Sequence, residues 1–233
     1  MYVSLTPTMK DDVSDTPSES AVRKTTQEVI CGDCLEYMKT LPDNSFDLVL
    51  TDPPYGIGRD EGFEGFGGFG EPIARRQYPD TWDKERPSKE VFDEILRVGK
   101  LVMIFGGNYF ADILPQGTHW LVWRKMNTMP TFSDCELVWT NSPRKSVKEY
   151  EYLWNGLIGK ERTRHHPTQK PEQLLGKIIA DYTTEESTIL DPFLGSGTTL
   201  VAAKQLNRNA VGIEISPEYC EIARKRLEQQ TLL

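Results

Sequence analysis

Residues 188–199 read TILDPFLGSGTT, an apolar stretch that runs directly into a glycine-rich turn and then into a helical pattern. A strand that ends in such a turn lets the backbone approach a ligand closely, beyond the carboxyl end of the strand. The stretch lacks the Gly-Lys-Ser/Thr ending of a phosphate-binding P-loop. About 20 residues later the next apolar segment ends in Gly212-Ile213-Glu214, and an acid at that spacing suits the ribose hydroxyls of a nucleoside-containing ligand.

Apolar segments alternate with helical patterns on both sides of this turn. Seven segments are typical of buried strands: EVICGD, FDLVLT, LVMIFGG, HWLVWRK, CELVWT, STILD and NAVGIEI. Parallel strands that are covered by helices on both faces produce this alternation, whereas antiparallel sheets usually expose one face. The sequence therefore predicts a doubly wound α/β fold with a mostly parallel sheet.

Length and charge limit the function of the chain. Its 233 residues suffice for one large α/β domain, and the 27 basic and 35 acidic residues give a net charge of −8. This charge excludes a nucleic-acid binder that uses its whole surface, so such contacts need a local basic patch. No apolar run approaches the ~20 residues of a membrane span, and the four cysteines lack disulfide spacing. We therefore expect a cytoplasmic protein without membrane contact.

Three stretches depart from the α/β pattern. Residues 1–25 are rich in Ser, Thr, Pro and Asp, which predicts a flexible tail in front of a single domain over 26–233. Residues 56–86 are rich in Gly and Phe and too long for an ordinary connection, so we predict a mobile functional loop. Residues 142–170 carry seven basic and three acidic side chains, in contrast with the acidic remainder.

A second strand end carries an unusual combination of groups. Residues 51–56 read TDPPYG and follow the apolar stretch FDLVL. The two prolines cannot donate hydrogen bonds and are held extended, so their carbonyls point outward as acceptors. Asp52 and one such carbonyl could accept both hydrogens of a planar amino group while Tyr55 stacks on its ring. The alternative is a proline-rich turn that only leads the chain away from the strand.

Together the two motifs resemble those of the amino DNA methyltransferases, which depend on S-adenosylmethionine. DPPY at 52–55 and DPFLGSGTT at 191–199 are similar to the two most specific signatures of that family, and the resemblance extends from about Val29 to Leu227. Because DPPY comes first, the chain is similar to the circularly permuted, β-type members. The resemblance implies a seven-stranded, Rossmann-like methyltransferase sheet, and the short chain is most similar to solitary phage or prophage enzymes, which act in the cytoplasm of a bacterium or infected host.

The resemblance also implies roles for individual residues. It implies that HPTQKP at 166–171 cradles the methionine end of the cofactor and that CGDC at 31–34 lies at its adenine end. The implied catalytic residues are Asp52, Pro53, Pro54 and Tyr55. The implied cofactor-binding residues are Asp33, Cys34, Asp52, Thr168, Lys170, Asp191, Phe193, Gly195, Ser196, Gly197, Thr198, Glu214 and Ile215.

The implied partner is DNA. The basic stretch is expected to include a short recognition insert at 142–165. The candidate DNA contacts are Trp123, Arg144, Lys145, Lys148, Arg162 and Arg164. For Trp123 the alternative is an apolar strand residue in the core. An insert of this length is short for a recognition domain, so the chain could act as a homodimer or with a second subunit.

The chemistry of amino methylation agrees with these residue types. An exocyclic amine is a poor nucleophile, and two acceptors on its hydrogens favour direct attack on the methyl group, with positioning and electrostatics supplying the rate. We expect Asp52 to be an ionised acceptor at its ordinary pKa of ~3.9 and the ring of Tyr55, rather than its hydroxyl, to matter. The base must be flipped out of the duplex. Methylation of a ring carbon of cytosine needs a thiolate nucleophile, which the enzymes of that type carry in a Pro-Cys pair. No Pro-Cys pair occurs here, so this reaction is excluded.

Alternatives remain at the level of the substrate. In the family that the chain resembles, Asp before Pro-Pro-Tyr goes with adenine and Ser with cytosine, so N6 of adenine is preferred over N4 of cytosine. Methylation of RNA or of protein amides and an inactive DNA-binding subunit are more distant alternatives. Cys31 and Cys34 lack two further ligands at zinc spacing, so no metal site is predicted.

Overall fold

The computed structural model describes residues 25–57, 85–126, 133–153 and 169–229. One mixed sheet of eight strands runs through these residues. The strands are β1 (Gln27–Cys31), β2 (Phe46–Thr51), β3 (Gly99–Phe105), β4 (His119–Arg124), β5 (Cys135–Thr140), β6 (Val147–Glu151), β7 (Thr188–Asp191) and β8 (Asn209–Glu214). The helices are α1 (Cys34–Lys39), α2 (Lys89–Val98), α3 (Glu172–Tyr182), α4 (Thr198–Gln205) and α5 (Pro217–Glu228), with a 3-10 turn at Gly107–Phe110.

The strand order is β1-β8-β7-β2-β3-β5-β4-β6. Among the described strands β5 alone runs antiparallel to its neighbours, so the predicted doubly wound, mostly parallel sheet is confirmed. The predicted number of seven strands is one too low. The additional strand is β6, which lies inside the stretch predicted as a recognition insert and pairs in parallel with β4. Residues 147–151 are therefore part of the sheet.

The central strands of the sheet are buried on both faces, as the continuous apolar segments of the sequence require. Along β2, Leu48 and Leu50 pack in the cluster that contains the apolar side chains of α3 and α4. Val49, which points to the other face, packs in the cluster formed with α1 and α2. The period-two alternation of a strand thus places successive β2 residues in two cores.

The strand order also brings the two motifs of the sequence together. The carboxyl ends of the parallel strands and the beginning of β5 share one edge of the sheet, which we call the carboxyl edge. The chain leaves β2 for β3 on one side and reaches β7 on the other, so the order reverses between β2 and β7. Open α/β sheets bind ligands at such a switch point. Thr51 and Asp191, the last residues of β2 and β7, flank it.

The three internal segments that lie outside the described residues all connect points on the carboxyl edge. Segment 58–84 follows the end of β2, 127–132 joins the end of β4 to the beginning of β5, and 154–168 follows the end of β6. Most of the predicted mobile loop at 56–86 belongs to the first of them. Among the residues that the structure describes, no helix has the length and hydropathy needed to cross a bilayer.

Candidate active site

A cavity of about 740 Å³ opens at the carboxyl edge around the switch point. Its size falls in the range of sites for small ligands and cofactors. Most of the residues singled out in the sequence line it, although they come from both ends of the chain: Asp33, Cys34, Asp52, Pro53, Pro54, Tyr55, Lys170, Asp191, Phe193, Gly195, Ser196, Thr198, Glu214 and Ile215. Thr168 lies outside the described residues. Strand direction and order are what bring these residues together.

The glycine-rich turn needs glycine for two reasons. Gly195 and Gly197 have φ angles of 54° and 90°, a region that side chains rarely adopt. A Cβ atom on Gly197 would lie 2.8 Å from Cβ of Ala223 in α5, so the close packing of the helix also excludes a side chain there. Its neighbours Gly195, Ser196 and Thr198 line the cavity, whereas Gly197 is not among the lining residues, and its predicted contact with the cofactor stays a prediction. Gly197 shapes the turn.

Glu214 holds this turn from the neighbouring strand. Its Oε2 accepts a hydrogen bond from the backbone N–H of Gly195 at 2.8 Å, and its Oε1 accepts one from the N–H of Ser216 at 2.8 Å. Burial raises the pKa of Glu214, while these two bonds act in the opposite direction. The carboxylate therefore both lines the cavity and ties the end of β8 to the turn.

Arg226 supports the same turn from behind and has no signal in the sequence. Its guanidinium, buried on α5, donates to the carbonyl of Ser196 at 2.5 Å and to Oγ1 of Thr198 at 3.3 Å. It also donates to Oε1 of Glu172 in α3 at 2.5 Å. A buried arginine of this kind is stable only when its donors are satisfied. Sequence reasoning missed it because its partners are remote along the chain.

Asp33 and Asp191 are held by local hydrogen bonds. Oδ1 of Asp33 accepts from the N–H groups of Leu35 and Glu36 at 2.7 and 3.1 Å and caps α1. Asp191 is buried at the end of β7, where Oδ1 accepts from Oγ1 of Thr51 at 2.8 Å and Oδ2 from Oγ1 of Thr199 at 2.6 Å. Burial raises the pKa of Asp191 to about 6, although these hydroxyl groups act against the shift.

The raised pKa of Asp191 predicts how the free energy of unfolding depends on pH. The folded protein holds the proton up to about pH 6, whereas the unfolded chain releases it near 3.8. The contribution is therefore fully present below the unfolded pKa and is lost as pH rises toward 6. Relative to Asp191→Asn, we expect the wild type to lose about 3 kcal/mol between pH 3.8 and 7, measured by urea unfolding. A constant difference would contradict this, and Asp93→Asn controls for loss of an exposed carboxylate.

The carboxylate of Asp52 is engaged at both oxygens. Oδ1 accepts a hydrogen bond from Oη of Tyr55 at 2.5 Å, and Oδ2 accepts one from Nζ of Lys170 at 2.5 Å. Its side chain is 24% exposed toward the cavity. Burial raises the pKa of Asp52 above its ordinary value, and the ammonium of Lys170 opposes that shift. The largely dehydrated site thus shifts the pKa of Asp52 upward from the ordinary value that the sequence predicted.

The ring of Tyr55 is buried and already stacked. Its centroid lies 4.6 Å from that of Tyr109, with the planes inclined by 17°, and Phe110 contacts its edge. Tyr109 lies shortly after the end of β3, in the sequence GGNYF. An aromatic residue close to the end of a buried strand is the feature of the sequence that could have indicated it. The hydroxyl of Tyr55 bonds to Asp52, so the expectation that only the ring matters omits one of its contacts.

Two charged residues that the motifs do not contain complete the surroundings of Asp52. Oε2 of Glu136, at the beginning of β5, lies 3.3 Å from Nζ of Lys170, and Oε1 lies 2.6 Å from Nζ of Lys125. Burial lowers the pKa of Lys170, but the charges of Asp52 and Glu136 outweigh it and leave the pKa raised. Burial likewise raises the pKa of Glu136, but Lys170 and Lys125 outweigh it and leave that pKa lowered. The neighbouring charges thus favour the ionised forms of Lys170 and Glu136.

A smaller cavity of about 240 Å³ lies beside this cluster. Tyr55 and Glu136 line it together with Asn108, Tyr109 and Ser133. Because Tyr55 lines both cavities, a group bound in the smaller one would lie close to the contents of the larger one. None of these lining residues except Tyr55 was singled out in the sequence.

The predicted DNA contacts that the structure describes are not gathered at this site. Trp123 is 2% exposed in the core, and its indole N–H donates to the carbonyl of Tyr152 at 3.0 Å, as the alternative of an apolar core residue requires. Arg144 and Lys145 precede β6 and therefore lie at the edge opposite the cavity. Lys148 is paired with Asp181 at 2.6 Å. Arg162 and Arg164 lie outside the described residues.

Known proteins that are similar to this chain are DNA methyltransferases. The family model described as DNA methylase matches residues 122–225. Type II methyltransferase M.HpaI of Haemophilus parainfluenzae is 30% identical over 247 residues, covering 88% of this chain and 75% of its own. Type II methyltransferase M2.DpnII of Streptococcus pneumoniae is 30% identical over 245 residues, covering 87% and 90%. The crystal structure of the M1.HpyAVI–SAM complex shares the fold with a TM-score of 0.55, at 23% identity, over 88% of this chain and 100% of that one.

Proposed function

This chain belongs to the amino DNA methyltransferase family, and we propose that it transfers a methyl group from S-adenosylmethionine to N6 of a flipped-out adenine in DNA. The observation that carries the proposal is Asp52, whose carboxylate lines the large cavity within the sequence Asp-Pro-Pro-Tyr. Tyr55 of the same sequence lines the large cavity and the smaller one. An amine acceptor and an aromatic ring therefore lie where two bound molecules would meet.

The residues around the large cavity fit S-adenosylmethionine. The carboxylate of Glu214 suits the ribose hydroxyls, and Asp33, Phe193 and Ile215 line the same part of the sheet edge, as an adenine site requires. Ser196, Thr198 and Lys170 are polar groups for the charged methionine end. When bound, the cofactor supplies an electrophilic methyl group on a sulfonium. The cavity volume of about 740 Å³ is ample for a ligand of this size.

The groups of the protein itself position the target amine and accept its proton. Asp52 and a carbonyl of Pro53 or Pro54 accept the two hydrogens of the amine, which directs its lone pair away from them. The ring of Tyr55 stacks on the base and offsets part of the cost of unstacking it from the duplex. Burial raises the pKa of Asp52, so its carboxylate is a better acceptor for the proton that the amine loses.

DNA is proposed to approach the carboxyl edge. A flipped base must reach Asp52, and the segments 58–84, 127–132 and 154–168 all begin and end at that edge. Segment 154–168 contains three basic residues and one acidic residue. Because Arg144 and Lys145 lie away from the cavity and Lys148 is paired, the phosphate contacts that we propose are Arg162 and Arg164.

Single-molecule modification sequencing tests the proposal directly. DNA from a methylation-deficient bacterial host that expresses the chain is expected to contain N6-methyladenine at one short recurrent sequence. DNA from the same host expressing Asp52→Asn is the control. Recurrent N4-methylcytosine would overturn the choice of base while keeping the reaction class. Unmodified DNA together with methylated RNA or protein from the same cells would overturn DNA as the substrate.

Glu214→Gln is expected to weaken cofactor binding about 10-fold or more, because a hydrogen bond to a charged group contributes roughly 1.5–3 kcal/mol. The amide also presents a donor to the N–H of Gly195 or Ser216, where the carboxylate accepts from both. The measurement is calorimetric titration with S-adenosylmethionine. Glu218→Gln, on the exposed first turn of α5, is the matched control. An unchanged dissociation constant in Glu214→Gln would contradict the assignment.

Replacing Arg162 and Arg164 by Ala is expected to flatten the salt dependence of DNA binding. Each phosphate contact contributes about −0.9 to the slope of log affinity against log salt, so the double variant should lose up to about 1.8. The matched control is Arg144→Ala with Lys145→Ala, which removes the same charge at the edge of the sheet opposite the cavity. Fluorescence anisotropy with a labelled duplex at several salt concentrations measures both. A flattened slope in the control alone would place DNA at the other edge.

A further inference from the structure

Glu136 belongs to neither motif, yet it faces the group on which the proposed reaction depends. It lies at the beginning of β5, and its Oε2 is 3.3 Å from the ammonium of Lys170, which in turn is 2.5 Å from Oδ2 of Asp52. Resting on the proposed function, we infer that Glu136 is a positioning residue that shares the ammonium of Lys170 with Asp52 and so keeps Asp52 available to accept the amine of the target base.

Lys170 has little freedom to leave this place. Its side chain is 9% exposed, and its ammonium lies 5.2 Å from the ring centroid of Phe105 and 5.8 Å from that of Tyr55. A buried ammonium without an anionic partner is costly, so it must remain near a carboxylate. Asp52 and Glu136 are the two carboxylates within 4 Å of it among the described residues. A shift of the ammonium away from Asp52 therefore leads toward Glu136.

Lys125 balances the additional charge. Its ammonium lies 2.6 Å from Oε1 of Glu136, and both side chains are largely buried. The four side chains thus alternate in sign from Asp52 through Lys170 and Glu136 to Lys125. Such an alternating chain has no net charge, so Glu136 can attract Lys170 without leaving an unpaired negative charge beside the cavity.

The hydrogen bonds of Asp52 explain why the ammonium of Lys170 has to be shared with Glu136. Tyr55 donates to Oδ1 and Lys170 to Oδ2, so an approaching amine competes with donors at both oxygens. When Glu136 attracts the ammonium, Oδ2 becomes a better acceptor for the amine. Without the charge of Glu136, Lys170 pairs with Asp52 alone, and the acceptor is weakened.

Glu136 also influences the protonation of Asp52. Among the described residues, the charged groups that face Asp52 are Lys170 before α3, Glu136 on β5 and Asp191 on β7, together with the hydroxyl of Tyr55. The negative charge of Glu136 raises the pKa of Asp52, and the positive charge of Lys170 lowers it. Removing the charge of Glu136 therefore lowers the pH at which Asp52 becomes protonated. It also lowers the rate of methyl transfer above that pH.

Single-turnover methyl transfer as a function of pH tests the inference. The substrates are tritiated S-adenosylmethionine and plasmid DNA from a methylation-deficient host, and tritium is counted in isolated adenine. We expect Glu136→Gln to lower the plateau rate about 10-fold and to move the acidic limb down by about 0.5 pH unit. Glu136→Asp keeps the charge, so its acidic limb should stay near that of the wild type. Glu149→Gln, an exposed partner of Arg124 on β6, is the matched control.

A second variant separates this role from a loss of folding. Lys125→Met combined with Glu136→Gln removes one charge of each sign, and it should retain the thermal midpoint better than Glu136→Gln while showing the same lowered acidic limb. Wild-type rates and an unmoved limb in Glu136→Gln would overturn the inference and leave the proposed function intact. If the wild type places no tritium in adenine, both are overturned. A lowered plateau with an unmoved limb would reduce Glu136 to a structural role and also overturn the inference.

Discussion

Asp52→Asn is expected to lower the rate constant for methyl transfer about 1,000-fold, the loss typical of removing a group that acts on the reacting atoms. The amide has the shape of the carboxylate but loses its charge, and its NH₂ group would face a donor, either Lys170 or the hydroxyl of Tyr55. It accepts an amine hydrogen more weakly and cannot take up the released proton. Single-turnover transfer of tritium to DNA at saturating S-adenosylmethionine measures the effect.

Cofactor affinity separates this effect from damage to the cavity. The glycine-rich turn follows β7 and Glu214 ends β8, whereas Asp52 follows β2. The dissociation constant of S-adenosylmethionine should therefore change by no more than about 3-fold, which is less than the loss of one hydrogen bond would cause. Asp93→Asn, in an exposed ion pair with Lys89 on α2, is the matched control and should retain full activity. If Asp52→Asn retained more than a few per cent of the wild-type rate, the amine-acceptor role would be wrong.

Tyr55→Ala is expected to reduce methyl transfer about 100-fold, since stacking of a base on an aromatic ring is worth about 1–3 kcal/mol. The substitution also removes the ring that packs on Tyr109 at 4.6 Å and the hydroxyl that donates to Asp52. Tyr55→Phe keeps the ring and loses the hydroxyl, so we expect an intermediate loss of about 10-fold, typical of one hydrogen bond to a charged group. The sequence alone predicted that the ring, rather than the hydroxyl, matters.

The comparison between the two Tyr55 variants is the informative measurement. A base analogue with strong fluorescence when unstacked, placed at the target position of a duplex, reports flipping independently of methyl transfer. Tyr55→Phe should retain the wild-type fluorescence change and Tyr55→Ala should alter it. Tyr37→Phe, on α1 outside the cavity, is the control for loss of a tyrosine hydroxyl. Equal losses of rate and equal fluorescence in both Tyr55 variants would contradict the stacking role.

Local patterns in the sequence were sufficient for seven of the eight described strands and for the two motifs. The apolar segments predicted a parallel sheet because a strand that is buried on both faces must be apolar at successive positions, as Leu48, Val49 and Leu50 are. The glycine-rich turn was recognisable because its positive φ angles at Gly195 and Gly197 require that residue type. The proline pair of Asp-Pro-Pro-Tyr likewise restricts the backbone locally. Each of these features acts through neighbours in the chain.

The contacts that determine the charge and packing of the site were decided by tertiary structure. Lys170 pairs with Asp52 across 118 positions of sequence, and Arg226 reaches Ser196 across 30. Glu136 enters because β5 runs antiparallel to its neighbours and therefore begins at the carboxyl edge. Such pairs leave no periodicity or spacing in the sequence. Their partners become neighbours only when the sheet assembles.

Strand direction likewise decided the place of the basic stretch. Its sequence shows only an excess of positive charge, which predicted one surface for all of its members. Because β6 runs parallel to β4, Arg144 and Lys145 lie at one edge of the sheet and the chain beyond Glu151 continues from the other. Charge composition is a local property of the sequence, whereas the edge at which each charge lies depends on the order and direction of all eight described strands.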